Sequence, residues 1–429
     1  MAAKRLIALA GALLVMACGG AGTPQNPKLG ALSNKVEVTF WHALSGALEG
    51  GLKQITESYN TSQSNVHVTL VNKGAYSDLR KALLTALAAG SPPDMAQCLE
   101  NHAAKYNESG ALADMTPYMN AADGLTDSDK KDIFPVMFND TKVQGKSVMF
   151  PFNKSTTVLY YNQDMFAAKG ISTPPATWEE FFADAQKLAG PGVVGAESPP
   201  LDTWISMLYE YGGKLYENDS SPKKAAFNSA VGLKVTQLWV DALKAGYLKP
   251  VGTAAFADQV DFQNQKTAMY ISTQVSYQFI RGPIGSKFKF AEAPFPAGPG
   301  GTKDEMFGAN VCIFKKSAQD VQHGAFLYIK YFTDTAQTAK WAQLSSYMPV
   351  RKTAFDQLSG DFYKANPSQA VGVTMLTKGQ LFVPPFLGSG DDQRDAITNE
   401  LNQIWNGKED AKTGLDKAAS KVNDILATG

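Results

Sequence analysis

The chain has 429 residues, 44% of them hydrophobic and 19% charged, with 40 basic and 40 acidic side chains. That is enough chain for two or three domains' worth of core at an ordinary globular composition, which argues against a disordered or fibrous protein. A formal charge of zero gives no electrostatic reason to expect a nucleic-acid partner.

The first residues stand apart from the fold. Lys4 and Arg5 make a short basic start, and the apolar run from Leu6 to Ala17 is too short for a typical membrane-spanning helix. Residues 1–17 read as a signal peptide, and 18–35, rich in Gly, Pro, Asn and Ser, as a flexible tether. The sequence Val15-Met16-Ala17-Cys18 resembles the lipobox of bacterial lipoproteins, in which the leader is cut before the cysteine and the thiol carries lipid. A plain secretory leader with an incidental cysteine is the alternative. Cleavage before Cys18 leaves 38 basic and 40 acidic residues, a formal charge of −2.

Beyond the tether, Val36–Trp41 alternates as a strand, and Leu52, Ile55 and Tyr59 carry helical spacing. His67–Val71 reads as a second strand, followed by a helix capped by Ser77, with Leu79, Leu83 and Leu87 on one face and Gly90 as its stop. "PPDMAQCL" makes a turn and a third strand. Strand–helix–strand–helix–strand implies a parallel sheet in an α/β lobe. In "FPFNKSTTVLYYN" two apolar runs that read as buried strands flank the polar tetrad Asn153-Lys154-Ser155-Thr156. Those polar groups either bond within a loop or line a polar cavity. A helix ending at Gly190, further helices to about 247, a strand over 267–273, a Pro/Gly-rich passage, the strand "VCIFKK" and mostly helices from Val321 complete the chain.

Cys98 and Cys312 lie far apart in sequence, each in an apolar run, and two buried free thiols are expected. His42, His67, His102 and His323 are scattered, none with metal-ligand spacing. The chain has no CxxC, Walker A, GxSxG or HExxH motif, so no cofactor, metal or catalytic centre is expected.

Several segments, in order, resemble the extracytoplasmic solute-binding proteins of ABC transporters. They are "VTFWHALSG", "LAAGSPPDMAQC", "FPFNKSTTVLYYNQDMFAAKGI", "TWEEFFADAQKLA", "TAMYIST", "SSYMPVRKTAF" and the tail "NGKEDAKTGLDKAASKVNDIL". Within that family, "KGAYSD", "PFNKSTTVLYYN" and "GDDQR" are most similar to the group that binds sn-glycerol 3-phosphate and glycerophosphodiesters. The resemblance implies an α/β fold of two lobes, each a mainly parallel sheet flanked by helices, joined by hinge crossovers. One lobe is expected from 36–152 plus 308–346 and the other from 153–307 plus 347–429. It further implies a monomeric, lipid-anchored extracytoplasmic receptor that closes on a solute and hands it to membrane permease subunits.

Carried over residue by residue, Tyr76 and Glu100 face the glycerol part, a carboxylate accepting from vicinal hydroxyls beside a phenol. Ser155, Thr273, the backbone at Gly308, Tyr347 and Arg394 match the phosphate anchors. Arg394 is the strongest of these, because a guanidinium gives paired charge-assisted bonds to phosphate, unless Asp391, Asp392 or Asp395 takes it instead. Trp204 either stacks on the solute or packs in the core; Leu201 and Trp41 shape the pocket. Leu201 stands in place of an aromatic residue and leaves room for a substituent on the phosphate, while Phe307 and Gln274 also depart from the pattern. A di- or oligosaccharide receptor is the alternative. A secreted hydrolase would need a paired carboxylate site, and Glu100 and Asp78 lack that spacing.

Overall fold

A computed structural model of the protein describes residues 29–428. The expected signal peptide, Cys18 and the expected tether up to residue 28 lie outside the described residues.

The expected alternation is present at the start: β1 (Val36–His42), α1 (Gly46–Ser62), β2 (Val66–Asn72), α2 (Tyr76–Ala88), β3 (Met95–Cys98) and α3 (Glu100–Glu108). β1 pairs in parallel with both β2 and β3. Leu52, Ile55 and Tyr59 bury one face of α1 against this sheet. The start of α2 differs from expectation. Ala75 is its N-cap, and the Asp78 carboxylate, not Ser77, closes the turn by accepting from the Ala75 N–H at 3.2 Å.

The main departure is β4 (Met149–Asn162), one uninterrupted strand in place of the two expected. After it come α4 (Leu201–Glu210), β5 (Met269–Thr273), β6 (Phe290–Ala293) and β7 (Asp304–Ile313). β7 begins seven residues before the expected strand at Val311, inside the passage that reads as a loop. The first part of β4 pairs antiparallel with β7, and its second part pairs antiparallel with β5 on one side and β6 on the other. The expectation of mainly parallel sheets therefore holds for β1–β3 but not for the second half of the chain, where β4 is the common antiparallel partner. The long continuous strand is possible because the tetrad's polar side chains all find partners inside the protein, as described below.

β4 and β7 run through two separate cores. Phe150 and Phe152 pack with Phe40, Ile55 and Phe326, the last from α5 (Gln319–Phe332). Farther along the same strand, Leu159 packs with Trp178, Trp204 and Trp239. Each buried Phe of this kind stabilises by roughly 1.5–3 kcal/mol, so the strand is anchored independently at both ends. Two cores on shared strands make two lobes. α6 (Thr335–Ser345) leads back between them, and β8 (Leu381–Phe382), α7 (Gly390–Trp405) and α8 (Ala411–Thr428) finish the second.

Cys98 and Cys312 are joined in a disulfide, with Cα atoms 6.0 Å apart, correcting the expectation of free thiols. The cause is register: Cys98 lies opposite Asn310 and Cys312 opposite Ala96, so the two cysteines are diagonal neighbours on one face of the β3–β7 pair. Sequence separation of 214 hid a contact that antiparallel pairing makes. Cys98→Ala/Cys312→Ala is expected to lower stability by about 2–5 kcal/mol in urea unfolding. Equal midpoints for the variant and the wild type would contradict this.

Candidate functional site

A cavity of about 500 Å³ opens where β4 and β7 pass between the lobes. Of the eight residues expected to bind ligand, seven line it: Tyr76, Glu100, Ser155, Thr273, Gly308, Tyr347 and Arg394. The eighth does not. Trp204 is fully buried, donates from Nε1 to Thr236 Oγ1 at 3.0 Å and meets Phe227 edge-on. α4 turns Trp204 and Leu208 into the second core, while Asp202 and Ile205 face the cavity. Leu201 lines a smaller neighbouring cavity instead. Trp41 packs beside the disulfide, with the Lys73 ammonium 3.7 Å over its ring. Phe307 lines the cavity, and Gln274 is a structural amide that donates to the Gln369 carbonyl and accepts from Gly372 N–H.

Backbone geometry explains Gly308. Its φ is +110°, and a Cβ there would collide with the Asn153 carbonyl oxygen across the β4–β7 pair. Only glycine lets the two crossover strands approach this closely. Beside it, Ser155 Oγ and Thr273 Oγ1 lie 2.6 Å apart, so these hydroxyls bond to each other across β4 and β5. Tyr347 stacks on Trp341 with ring centroids 5.8 Å apart. The Tyr76 hydroxyl accepts from Asn153 Nδ2 at 2.9 Å, and Asn153 Oδ1 accepts from Gln97 Nε2 at 3.1 Å.

Arg394 projects from α7 into the cavity wall and pairs with Asp202 and with Glu305, the latter at 3.0 Å. None of the three acids near it in sequence takes it. Asp391 turns to the first lobe, with Arg80 Nε at 3.1 Å and His102 Nε2 at 3.0 Å. Burial, then the charges of Asp304 and Glu100, push the Glu305 carboxyl well above the ordinary range. Asp202 and Glu305 were not singled out in the sequence, because one sat in an unremarkable helix start and the other in the supposed loop before β7.

The profile of the bacterial extracellular solute-binding proteins matches residues 54–370, about three quarters of the chain. The chain belongs to that family. Among its relatives is the sn-glycerol-3-phosphate-binding periplasmic protein UgpB of Rhizobium meliloti (strain 1021). It is 25% identical over 414 residues, covering 91% of this chain and 94% of the relative. UgpB of Yersinia pseudotuberculosis is 26% identical, covering 91% and 92%. Among solved structures, UgpB from Mycobacterium tuberculosis in complex with glycerophosphocholine is similar with a TM-score of 0.80 at 19% identity. That match covers 92% of this chain and all of the other. The cyclic alpha-maltosyl-1,6-maltose binding protein from Arthrobacter globiformis reaches 0.78 at 21% identity, with the same coverage. The structural likenesses establish the two-lobed fold of these receptors. No helix among the described residues is long and apolar enough to cross a membrane.

In this solute-binding protein the tetrad on β4 is fully engaged. Lys154 is completely buried and forms ion pairs with Glu100 at the cavity edge and Asp140 behind it. Thr156 Oγ1 donates to Asp304, whose carboxylate also accepts from Thr157 N–H and Ser206 Oγ at 2.9 Å each. Burial disfavours the Lys154 charge, but Asp140 and Glu100 outweigh it and raise its pKa. Burial and the Asp140 charge push the Glu100 carboxyl up to about 8, with Lys154 pulling the other way. A carboxyl raised on folding binds more protons in the native state than in the unfolded chain, so this group's contribution to stability falls as pH rises towards 8. Urea unfolding at a series of pH values should show Glu100→Gln with a shallower decline than the wild type; parallel profiles would refute it. Gly308→Ala is expected to cost about 1–3 kcal/mol from backbone strain alone, read by thermal unfolding.

Proposed function

We propose that the protein is the substrate-binding lipoprotein of an ABC importer and captures a glycerol-phosphate compound. The ligand would be sn-glycerol 3-phosphate or a glycerophosphodiester, held between the lobes. The observation that carries this is Arg394. It is the cavity's guanidinium, set in the same chamber as the Ser155–Thr273 hydroxyl pair, the Gly308 backbone, Tyr76 and Glu100. A neutral sugar needs no guanidinium, whereas a phosphate takes two parallel charge-assisted bonds from one. The UgpB relatives support the same ligand class.

On this reading the phosphate exchanges with Asp202 for Arg394. Glu100 and Tyr76 meet the glycerol hydroxyls, and contacts on both lobes draw them together. The hinge lies near Asn153 and Gly308, with 36–152 plus 308–346 as one lobe and 153–307 plus 347–429 as the other. The crossing of β4 and β7 there supports it. The last segment also leans on the first lobe through Asp391 and through Phe386, so closure has to accommodate a third connection. The mature chain, anchored by lipid on Cys18 and acting as a monomer, would present the closed form to the permease subunits. Transport requires no catalysis from it.

The test is titration calorimetry with sn-glycerol 3-phosphate, glycerophosphocholine and maltose, on the wild type and on Arg394→Ala. Loss of the guanidinium should weaken phosphate ligands by about a hundredfold, the worth of two charge-assisted hydrogen bonds. Heat from maltose alone, unchanged in the variant, would make the protein a sugar receptor and Arg394 a structural ion-pairing residue.

A further inference from the structure

Behind the main cavity lies a second one of about 200 Å³, wholly within the second lobe. Consecutive residues build the wall between them. Leu201 faces the smaller cavity and Asp202 the larger, and Thr398 and Ile397 divide in the same way. The solute reading above makes no use of the smaller chamber.

Its chemistry is acidic and aromatic. Glu197, Asp258, Tyr270 and Trp405 all line it. Glu197 is only 7% exposed, and its Oε2 has no hydrogen-bond partner among the described residues. Its other oxygen lies 3.0 Å from Lys249 Nζ, but Lys249 is shared with Asp261, which Lys266 also approaches at 3.4 Å. Glu197 and Asp261 thus share Lys249, and Asp261 alone also meets Lys266. Asp258, on the same wall as Glu197, is part of no ion pair among the described residues. Burial, the largest effect on both groups, pushes the Glu197 carboxyl up to about 7 and also raises Asp258. A buried carboxylate without a full partner is costly, and a single positive charge in the chamber would remove that cost.

The remaining walls decide what kind of cation fits. They are apolar side chains such as Leu401 and Met269 together with two aromatic rings, and no group of three or more His, Cys, Asp or Glu among the described residues could hold a metal ion. Aromatic side chains and carboxyls around a small space suit a compact organic ammonium group, drawn to the rings and the acids together.

We propose that this chamber is a binding site for a small organic ammonium group, with Glu197 as its counter-charge, Asp258 beside it, and Trp405 and Tyr270 as its aromatic walls. The group could belong to a free ammonium compound or to the head of a phosphodiester whose phosphate is held at Arg394 across the Leu201–Asp202 wall. The second source rests on the solute reading above; the first does not.

The experiment titrates the full chain with choline chloride, glycerophosphocholine and sn-glycerol 3-phosphate, using calorimetry and tryptophan fluorescence, in the wild type, Glu197→Gln and Asp258→Asn. A free-ammonium site predicts choline binding that weakens at least about tenfold in Glu197→Gln, with both phosphate ligands unaffected. A head-group site predicts the same loss for glycerophosphocholine but not for sn-glycerol 3-phosphate, which also shows that the variant is folded. If neither variant changes the binding of choline or glycerophosphocholine, the site does not exist. Wild type that binds no phosphate ligand would sink the solute reading while leaving the choline arm decisive.

Discussion

Antiparallel pairing of β4 with β7 is the contact on which both the lobes and the cavity depend. Each strand is long enough to serve two cores, and their close approach at Gly308 sets the floor of the cleft. At that crossing the backbone is pinned by side chains rather than by hydrophobic packing. Lys154 reaches Glu100 and Asp140, Asn153 reaches Tyr76 and Gln97, and Thr156 reaches Asp304. Buried polar networks of this kind are costly when half-made and rigid when complete. Each side chain of the tetrad has a partner, which allows it to sit at the centre of a protein between two aromatic cores.

The network also connects structure to binding. Glu100 is at once a partner of the buried Lys154 and part of the cavity wall, so a solute hydroxyl that meets it draws on a carboxyl group already held in place. Arg394 is held in the same manner, between Asp202 and Glu305, on a helix whose first turn grips the other lobe through Asp391. Preorganisation of this sort keeps the guanidinium aimed into the cleft when no solute is there, and it makes the acids that hold it the competitors of any anionic ligand.

Most of the first lobe was legible in the sequence because its signals are local. Leu52, Ile55 and Tyr59 repeat at helical spacing, Val36–Trp41 alternates, and Gly90 ends a helix in the left-handed conformation at φ +68°. The second lobe was harder. β7 was hidden because Asp304, Glu305, Gly308 and Asn310 are residues depleted in strands, and only partners remote in sequence reverse that preference. Trp204 could not be placed because helical spacing with Leu208 says which residues share a face but not whether that face meets a core or a cleft.

By itself, the sequence determined the α/β class, the positions of the early strands and helices, and, through its resemblance to known receptors, seven residues that meet in one cavity. Only the tertiary structure decided the pairing of Cys98 with Cys312, the continuity of β4, and the partners of Arg394 and Lys154. The reason is the same in each case. Propensity and periodicity act over a few residues, whereas a disulfide between diagonal strand neighbours or an ion pair in the cavity wall joins groups about 200 residues apart, as in Cys98–Cys312 and Arg394–Asp202. Strand register sets the first kind of contact and the packing of helices against strands sets the second.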